Sequence, residues 1–278
     1  MADLLGARQS FYRAIAQPDE QISLAEAALY IAQEEYPDLD VEAYLNALDT
    51  MATEVEERLP AARYPLRVIQ SINQYLYDDL GFAGNTADYY DPRNSFLNDV
   101  IERRTGIPIT LSLVYMEVAR RVDFPMVGVG MPGHFLIRPT IEEMEVYVDA
   151  YHRGETLFAE DCQNRLNQIY GRSVELQPAF LQPIGPRQFL ARMLTNLKMI
   201  YLNRDQAQKS LAAIERILLL FPDTPLELRD RGILHYHLGA GPEAYQDLKT
   251  YLAKVPDAED AVAIQQLLDR IAQDLETG

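Results

Sequence analysis

Between residues 8 and 80, hydrophobic side chains recur at the three- and four-residue spacing of helices that bury one side. The clearest helix is predicted over residues 23–35, where Ser23 and Glu26 form a capping box at its start. Further helices are predicted over residues 41–58 and 65–80, the second beginning with a proline at a favoured first-turn position. The N-terminal part of the chain is therefore expected to be helical.

The hydrophobic pattern changes in the next part of the chain. A fourth helix is expected from Asn94 to near Gly106. The helix that follows from Pro108 is apolar on nearly every side, which predicts that it is buried. Strands are then predicted in three segments that are rich in β-forming residues, at residues 126–131, 134–138 and 145–149. Together these elements predict an α+β fold that is predominantly helical and has a small antiparallel sheet.

Beyond residue 186 the chain is expected to be helical to its end and to repeat. Pro222 and Pro256 lie 34 residues apart, and each ends an apolar run. Aligning the two prolines pairs Leu194 with Leu228, Tyr201 with His235, Ser210 with Ala244 and Ile214 with Leu248. A helix–turn–helix period of this length is the tetratricopeptide signature. The sequence therefore predicts two domains, residues 1–186 and residues 187–278.

The net charge and the cysteine content indicate which partners the protein disfavours and in which compartment it is expected. Forty-two acidic against 25 basic residues give a net charge of −17, which disfavours nucleic acids and anionic membranes as partners. The single cysteine, Cys162, excludes an internal disulfide and a cysteine-based zinc cluster. Neither a secretory signal nor an apolar run long enough to span a membrane is apparent. We expect a cytoplasmic protein.

His134 and Asp149 are the main candidates for catalytic or ligand-binding residues. We predict that they lie opposite each other in a hairpin that turns near residues 141–142, with Leu136 opposite Tyr147. This register places the apolar residues of both strands together on the other face of the hairpin. As neighbours, the two side chains form a dyad in which the carboxylate fixes the tautomer of the imidazole.

Five sequence segments and three single residues resemble those of a known family. The segments are GFAGN, YYDPRNSFLNDVIERRTGIPITLS, VGMPGHFLIR, LARMLTNLKMIY and RDRGIL. The residues are Gly106, His134 and Asp149. The chain is similar to a bacterial group that joins a transglutaminase-like domain, with a papain-like fold, to C-terminal tetratricopeptide repeats. That superfamily carries a catalytic cysteine at a helix N-terminus, followed by a histidine and an aspartate, and here the cysteine position falls on Pro108.

The resemblance implies the architecture without the thiol chemistry, because proline offers no nucleophile. We expect a non-catalytic interaction or regulatory module that binds another protein or a peptide through its repeats. One alternative is a residual hydrolase or amidase, in which His134 and Asp149 act with an activated water or with Ser112. The other is a small-ligand sensor that holds the same dyad inside a closed pocket.

The polar loop before the buried helix is a second candidate site. Tyr89, Tyr90, Arg93 and Asn94 offer aromatic, cationic and amide groups that suit the binding of a substrate or partner. Ser112 is a further candidate contact. The structural alternative is that Asn94 caps the fourth helix and that the loop is an ordinary turn.

A metal site is not expected from the sequence. His134, Asp149 and His152 could in principle share a metal ion, but their spacing is not a recognised zinc pattern. No cofactor is expected either.

Overall fold

The computed structural model describes residues 2–141 and 144–277. The chain forms two compact units, Met1–Leu190 and Ala191–Gly278. This division falls inside the helix Pro186–Asn203, and the boundary predicted from the sequence lies at the start of the same helix. Among the described residues, none of the helices combines the length and the apolar character that crossing a membrane requires.

The first unit begins with α1 (Ala2–Ile15), for which no bounds were predicted. The three helices expected from the hydrophobic spacing follow as α2 (Leu24–Ala32), α3 (Val41–Glu56) and α4 (Pro65–Asn73). The backbone N–H of Glu26 donates to Ser23 Oγ at 3.4 Å and so caps the start of α2. Beyond α4 the chain continues as a π-helical turn, Gln74–Asp79, which the sequence pattern does not distinguish from a continued α-helix.

The next segment leads to the central helix of the unit. Strand β1 (Ala83–Gly84) pairs in parallel with β2 (Thr105–Gly106), and the short helix α5 (Leu97–Arg103) lies between them in sequence. Helix α6 (Pro108–Arg121) follows, and its residues from Pro108 to Tyr115 are all buried, as its apolar pattern predicts. The helix expected from Asn94 begins instead at Leu97, because Pro92–Ser95 forms a separate 3-10 turn.

A five-stranded antiparallel sheet completes the first unit. Its strands are β3 (Met126–Val129), β4 (Leu136–Pro139), β5 (Tyr147–Asp149), β6 (Glu155–Leu157) and β7 (Pro183–Ile184), arranged in the order β6-β5-β4-β3-β7. In the β4–β5 pair, Ile137 lies opposite Val148, so the predicted pairing of Leu136 with Tyr147 is wrong by two residues. A two-residue shift leaves every side chain on the same face, so the apolar pattern cannot detect it. The predicted turn includes Glu142, which lies outside the described residues.

One face of the sheet packs against helix α7 (Ala159–Tyr170). The buried cluster contains Val129, Met131, Leu136, Tyr147, Leu157, Cys162 and Leu166. Burial raises the pKa of the Cys162 thiol to about 12, and the nearby negative charge of Asp161 contributes to this rise. Cys162 is therefore a core residue and is protonated at neutral pH.

Over its described residues, 191–277, the second unit consists of helices joined by short turns. It contains residues 191–203 of α8 (Pro186–Asn203), then α9 (Ala207–Leu220), α10 (Pro225–His237), α11 (Gly241–Lys254) and α12 (Ala261–Thr277). A Cβ atom on Gly232 would lie 2.7 Å from the side chain of Leu248, so glycine is needed where α10 and α11 approach closely. These paired helices are the arrangement that the 34-residue period predicts.

The cations of the two units differ in kind. Every lysine of the chain lies in the second unit, at Lys198, Lys209, Lys249 and Lys254, so the first unit has arginine but no lysine side chains. Lys198 is buried, and its Nζ donates to Glu227 Oε2 at 2.8 Å and lies 2.6 Å from Asp230 Oδ2. This ion cluster joins α8 to α10.

Candidate functional site

His134 and Asp149 are brought together by the ends of two neighbouring strands. A turn containing Gly133 at φ +72° leads from β3 to His134, which lies two residues before the start of β4. Asp149 is the last residue of β5. His134 Nε2 lies 2.8 Å from Asp149 Oδ2, and both side chains are buried. The two residues are therefore in direct contact, as we predicted, although through a different strand register.

Asp149 also organises the turn that follows it. Its Oδ1 accepts the backbone N–H groups of Tyr151 and His152, at 3.1 and 3.2 Å. Its Oδ2 lies 2.8 Å from His152 Nδ1 as well as from His134 Nε2. Burial alone would raise the pKa of the Asp149 carboxyl group, but the hydrogen bonds from His134 and His152 outweigh burial and lower it well below its usual range. Asp149 is thus a buried carboxylate between two imidazoles.

Arg165 of α7 completes this cluster. Its Nη1 lies 3.1 Å from both ring nitrogens of His152, and its Nη2 lies 3.7 Å from Asp149 Oδ2. The same Nη2 donates to Glu155 Oε2 at 2.5 Å. Sequence reasoning did not select Arg165, because no spacing rule indicates which side of α7 faces the end of β5.

Tyr151 connects the dyad to the polar loop. Its ring centroid lies 6.3 Å from that of His134, 5.2 Å from that of His152 and 6.2 Å from that of Tyr89. Tyr89 in turn contacts Tyr90, with ring centroids 5.2 Å apart. The two predicted candidate regions are therefore joined through Tyr151, a residue that the sequence analysis did not select.

Within the polar loop, Asn94 has a structural environment. It is fully buried, and its Nδ2 donates to the carbonyl oxygens of Asp88 and Tyr89 at 2.8 and 3.2 Å. Its Oδ1 accepts from Asn85 Nδ2 at 3.1 Å, and its carbonyl oxygen accepts from Thr110 Oγ1 at 2.7 Å. Asn94 thus holds the loop against the start of α6.

The other loop residues are more accessible. Arg93 is largely exposed and pairs with the buried carboxylate of Asp91, with Arg93 Nη2 2.8 Å from Asp91 Oδ2. The side chains of Tyr89 and Tyr90 are also exposed. Arg93, Tyr89 and Tyr90 therefore lie where a bound molecule could reach them.

Pro108, to which the resemblance assigns the cysteine position of the superfamily, is buried at the start of α6. It is the first residue of this helix, and the backbone N–H of Ile107 before it donates to Thr110 Oγ1 at 3.2 Å. Ser112, one turn further along, is fully buried, and its Oγ has no hydrogen-bond partner among the described residues. Ser112 therefore neither contacts His134 by a hydrogen bond nor reaches the surface.

Gly84 provides a test of how tightly Tyr151 is held. A Cβ atom at residue 84 would lie 2.4 Å from the Tyr151 ring, whose hydroxyl donates to the carbonyl of Asn85 at 3.1 Å. We expect Gly84→Ala to lower the free energy of unfolding by about 1–3 kcal/mol, because overpacking displaces the ring. Urea denaturation measures this value. Gly6→Ala, where a Cβ atom meets nothing within 4 Å, is the control, and an equal effect of both substitutions would contradict the prediction.

The sequence matches two known families in separate regions. Residues 42–195 match the transglutaminase-like superfamily, and residues 197–269 match the tetratricopeptide repeat. No solved structure matches the chain.

Curated relatives cover most of the chain. A UPF0162 protein of Xylella fastidiosa strain Temecula1 is 39% identical over 249 residues, which are 87% of either chain. A UPF0162 protein of Pseudomonas aeruginosa is 29% identical over 269 residues, 95% of this chain and 96% of the relative. Human F-box only protein 21 is 29% identical over 262 residues, 82% of this chain but 41% of its own length. The chain therefore belongs to the transglutaminase-like superfamily and to its UPF0162 proteins, with tetratricopeptide repeats after the transglutaminase-like domain.

Proposed function

We propose that this protein is a non-catalytic member of its superfamily, acting in the cytoplasm as an interaction or regulatory module. In this proposal the repeats bind a partner protein or peptide, and the transglutaminase-like unit, residues 1–186 in the predicted division, is the scaffold. Tetratricopeptide repeats generally mediate contacts between proteins, which supports the assignment of binding to this part of the chain.

The observation that carries the proposal is Pro108. A transglutaminase-like reaction needs a thiolate that the histidine and the helix N-terminus activate. Proline supplies no such group, and Ser112 is sealed in the core without a hydrogen bond to His134. Cys162 is also unsuited, because burial raises the pKa of its thiol to about 12.

Exposed apolar side chains on the first helix of each repeat support the location of binding. Met199 and Leu226 are 48% and 55% exposed. They flank the Lys198–Glu227 ion pair that joins α8 to α10, so they lie on neighbouring helices. Exposed apolar side chains on neighbouring helices of the repeats suit the apolar face of a partner segment.

We expect the double variant Met199→Glu/Leu226→Glu to lose its partner, because two charges would be buried in the interface. Full-length wild type and variant are compared by affinity capture from a lysate of the source organism, followed by mass spectrometry. Leu219→Glu, at a 38% exposed leucine on α9, is the matched control and should keep the partner. An identical set of captured proteins for wild type and the double variant would count against binding at this surface.

The second candidate function is a residual hydrolase or amidase, which the 2.8 Å contact between His134 and Asp149 favours. In this case an activated water replaces the missing thiol, and His134 is its base. Incubation of the purified protein with peptide and amide substrates separates the two candidates. Hydrolysis that His134→Ala abolishes would overturn the non-catalytic assignment.

A further inference from the structure

Three side chains of the first unit, His134 before β4, Asp149 at the end of β5 and His152 in the following turn, place ligand atoms close together. His134 Nε2, Asp149 Oδ2 and His152 Nδ1 all lie within 4.8 Å of one another. Asp149 Oδ2 is 2.8 Å from each of the two imidazole nitrogens. Two imidazoles and one carboxylate are a ligand set that zinc and other divalent transition cations accept in proteins.

The distances are close to those that a bound cation requires. In a tetrahedral zinc site, metal–ligand bonds of about 2.0–2.2 Å place neighbouring ligand atoms about 3.4 Å apart. The observed 2.8 Å separations are hydrogen-bond distances, so a bound cation replaces the hydrogen atom between each pair of ligand atoms and widens each separation by about 0.6 Å.

The surroundings hold these ligands in place. Asp149 Oδ1 is fixed by the backbone N–H groups of Tyr151 and His152, so that Oδ2 is the oxygen presented to the imidazoles. The carboxylate is fully buried, and Tyr151 contacts both imidazole rings. Such outer contacts orient metal ligands and raise affinity. The side chain of His152 is 42% exposed, so the cluster is open on one side.

We propose that His134, Asp149 and His152 form a binding site for one divalent transition cation of the Zn²⁺ class, with the open side available to water or to an exogenous ligand. The inference goes beyond partner binding by the repeats and involves none of the residues assigned to that surface. It also departs from the sequence expectation, because the strand end and the following turn, rather than a spacing motif, bring the ligands together.

Arg165 is the group that opposes a bound cation. Its Nη1 lies 3.1 Å from His152 Nδ1, one of the proposed ligand atoms, and its Nη2 lies 3.7 Å from Asp149 Oδ2, where it balances the charge of the carboxylate in the metal-free protein. Glu155 offers it an alternative partner, because Arg165 Nη2 already donates to Glu155 Oε2. Metal binding thus requires the guanidinium to turn from Asp149 towards Glu155, and removal of its charge should strengthen binding.

The test is a titration of the full-length protein with Zn²⁺, after treatment with a chelator and without a polyhistidine tag, by isothermal titration calorimetry. We expect one Zn²⁺ per chain. Even outer contacts of metal ligands are worth about 10- to 100-fold in affinity. His152→Ala should therefore weaken binding by more than about 100-fold. His134→Gln should do the same, His237→Ala in the second unit should have no effect, and Arg165→Gln should tighten binding.

A spectroscopic readout tests whether imidazole and carboxylate are the ligands. Co²⁺ added in place of Zn²⁺ should give a visible absorption spectrum that His152→Ala abolishes and His237→Ala preserves. Circular dichroism of each variant without metal establishes that it is folded, and the exposed His152 is the substitution least able to disturb the core. Absence of saturable Zn²⁺ binding by wild type, or equal affinity of wild type and His152→Ala, would overturn the proposal.

Discussion

Replacing Asp149 with alanine is expected to lower the free energy of unfolding of the first unit by about 3–5 kcal/mol. The carboxylate is fully buried and accepts hydrogen bonds from two backbone N–H groups as well as lying 2.8 Å from two imidazole nitrogens. Alanine removes all of these acceptors at once, and buried donors without partners are costly. Urea denaturation gives the free energy, and hydrogen exchange of the sheet amides shows that the loss belongs to the first unit.

A matched control separates burial from the mere loss of a charge. Asp78 is 49% exposed and pairs with Arg153 at the surface, so Asp78→Ala should have little effect. If Asp78→Ala and Asp149→Ala destabilise the protein equally, the buried network around Asp149 does not contribute as we infer.

The pH dependence of the Asp149 contribution follows from its lowered pKa. A carboxyl group with a pKa below its unfolded value of about 3.9 stabilises the fold at pH values above that value and loses this contribution as the pH falls. The stability difference between wild type and Asp149→Asn should therefore shrink as the pH falls below about 4. A difference that instead grew towards low pH would contradict the assigned direction of the pKa shift.

Replacing Lys198 with alanine is expected to lower the free energy of unfolding of the second unit by about 3 kcal/mol. Lys198 Nζ lies 2.8 Å from Glu227 Oε2 and 2.6 Å from Asp230 Oδ2, and the Lys198 side chain is 7% exposed. Without the ammonium group, Glu227 stays largely buried next to another carboxylate. Asp230 retains Arg229, whose Nη2 lies 2.7 Å away, which keeps the expected loss at the lower end for a buried pair.

Two further variants show whether charge is the cause. Lys254→Ala removes a surface lysine whose partner, Asp223, is 88% exposed, and it should change stability little. The triple variant Lys198→Met/Glu227→Gln/Asp230→Asn removes the charge of Lys198 and of both carboxylates that it contacts, and it should recover much of the loss, because Arg229 keeps Asp260 as a partner. Hydrogen exchange of α8 and α10 amides follows this unit separately. A Lys198→Ala protein as stable as Lys254→Ala would show that the buried carboxylates find other partners.

The parts of the fold that depend on local sequence were predictable. The apolar spacing places α2, α3 and α4, the all-round apolar pattern marks α6 as buried, and the 34-residue period identifies the repeats. The family and the fold class inferred from the sequence are confirmed by the matches at residues 42–195 and 197–269. These features follow from periodicities of side chains along one segment, which a sequence displays directly.

The features that depend on how separate segments pack together were harder to predict from the sequence. The register of β4 on β5 was wrong because a two-residue shift preserves the alternation of faces. The contact between His134 and Asp149 was predicted correctly in spite of this error. Asp149 ends β5 and His134 lies just before β4, so the two side chains meet at the same end of two paired strands. Tyr151 and Arg165 were missed, because their contacts arise from the 3-10 turn at Ala150–His152 and from the placement of α7.

The confinement of lysine to the second unit gives the protein a built-in chemical reporter. Amine-reactive reagents that acylate lysine side chains modify the repeats and leave the side chains of the first unit untouched. Lys209, Lys249 and Lys254 are exposed and should react at once, whereas Lys198 is buried and should react only when α8 separates from α10. The rate at which Lys198 is acylated in the intact protein therefore measures the opening of the repeats, and a bound partner that holds the helices together would slow it.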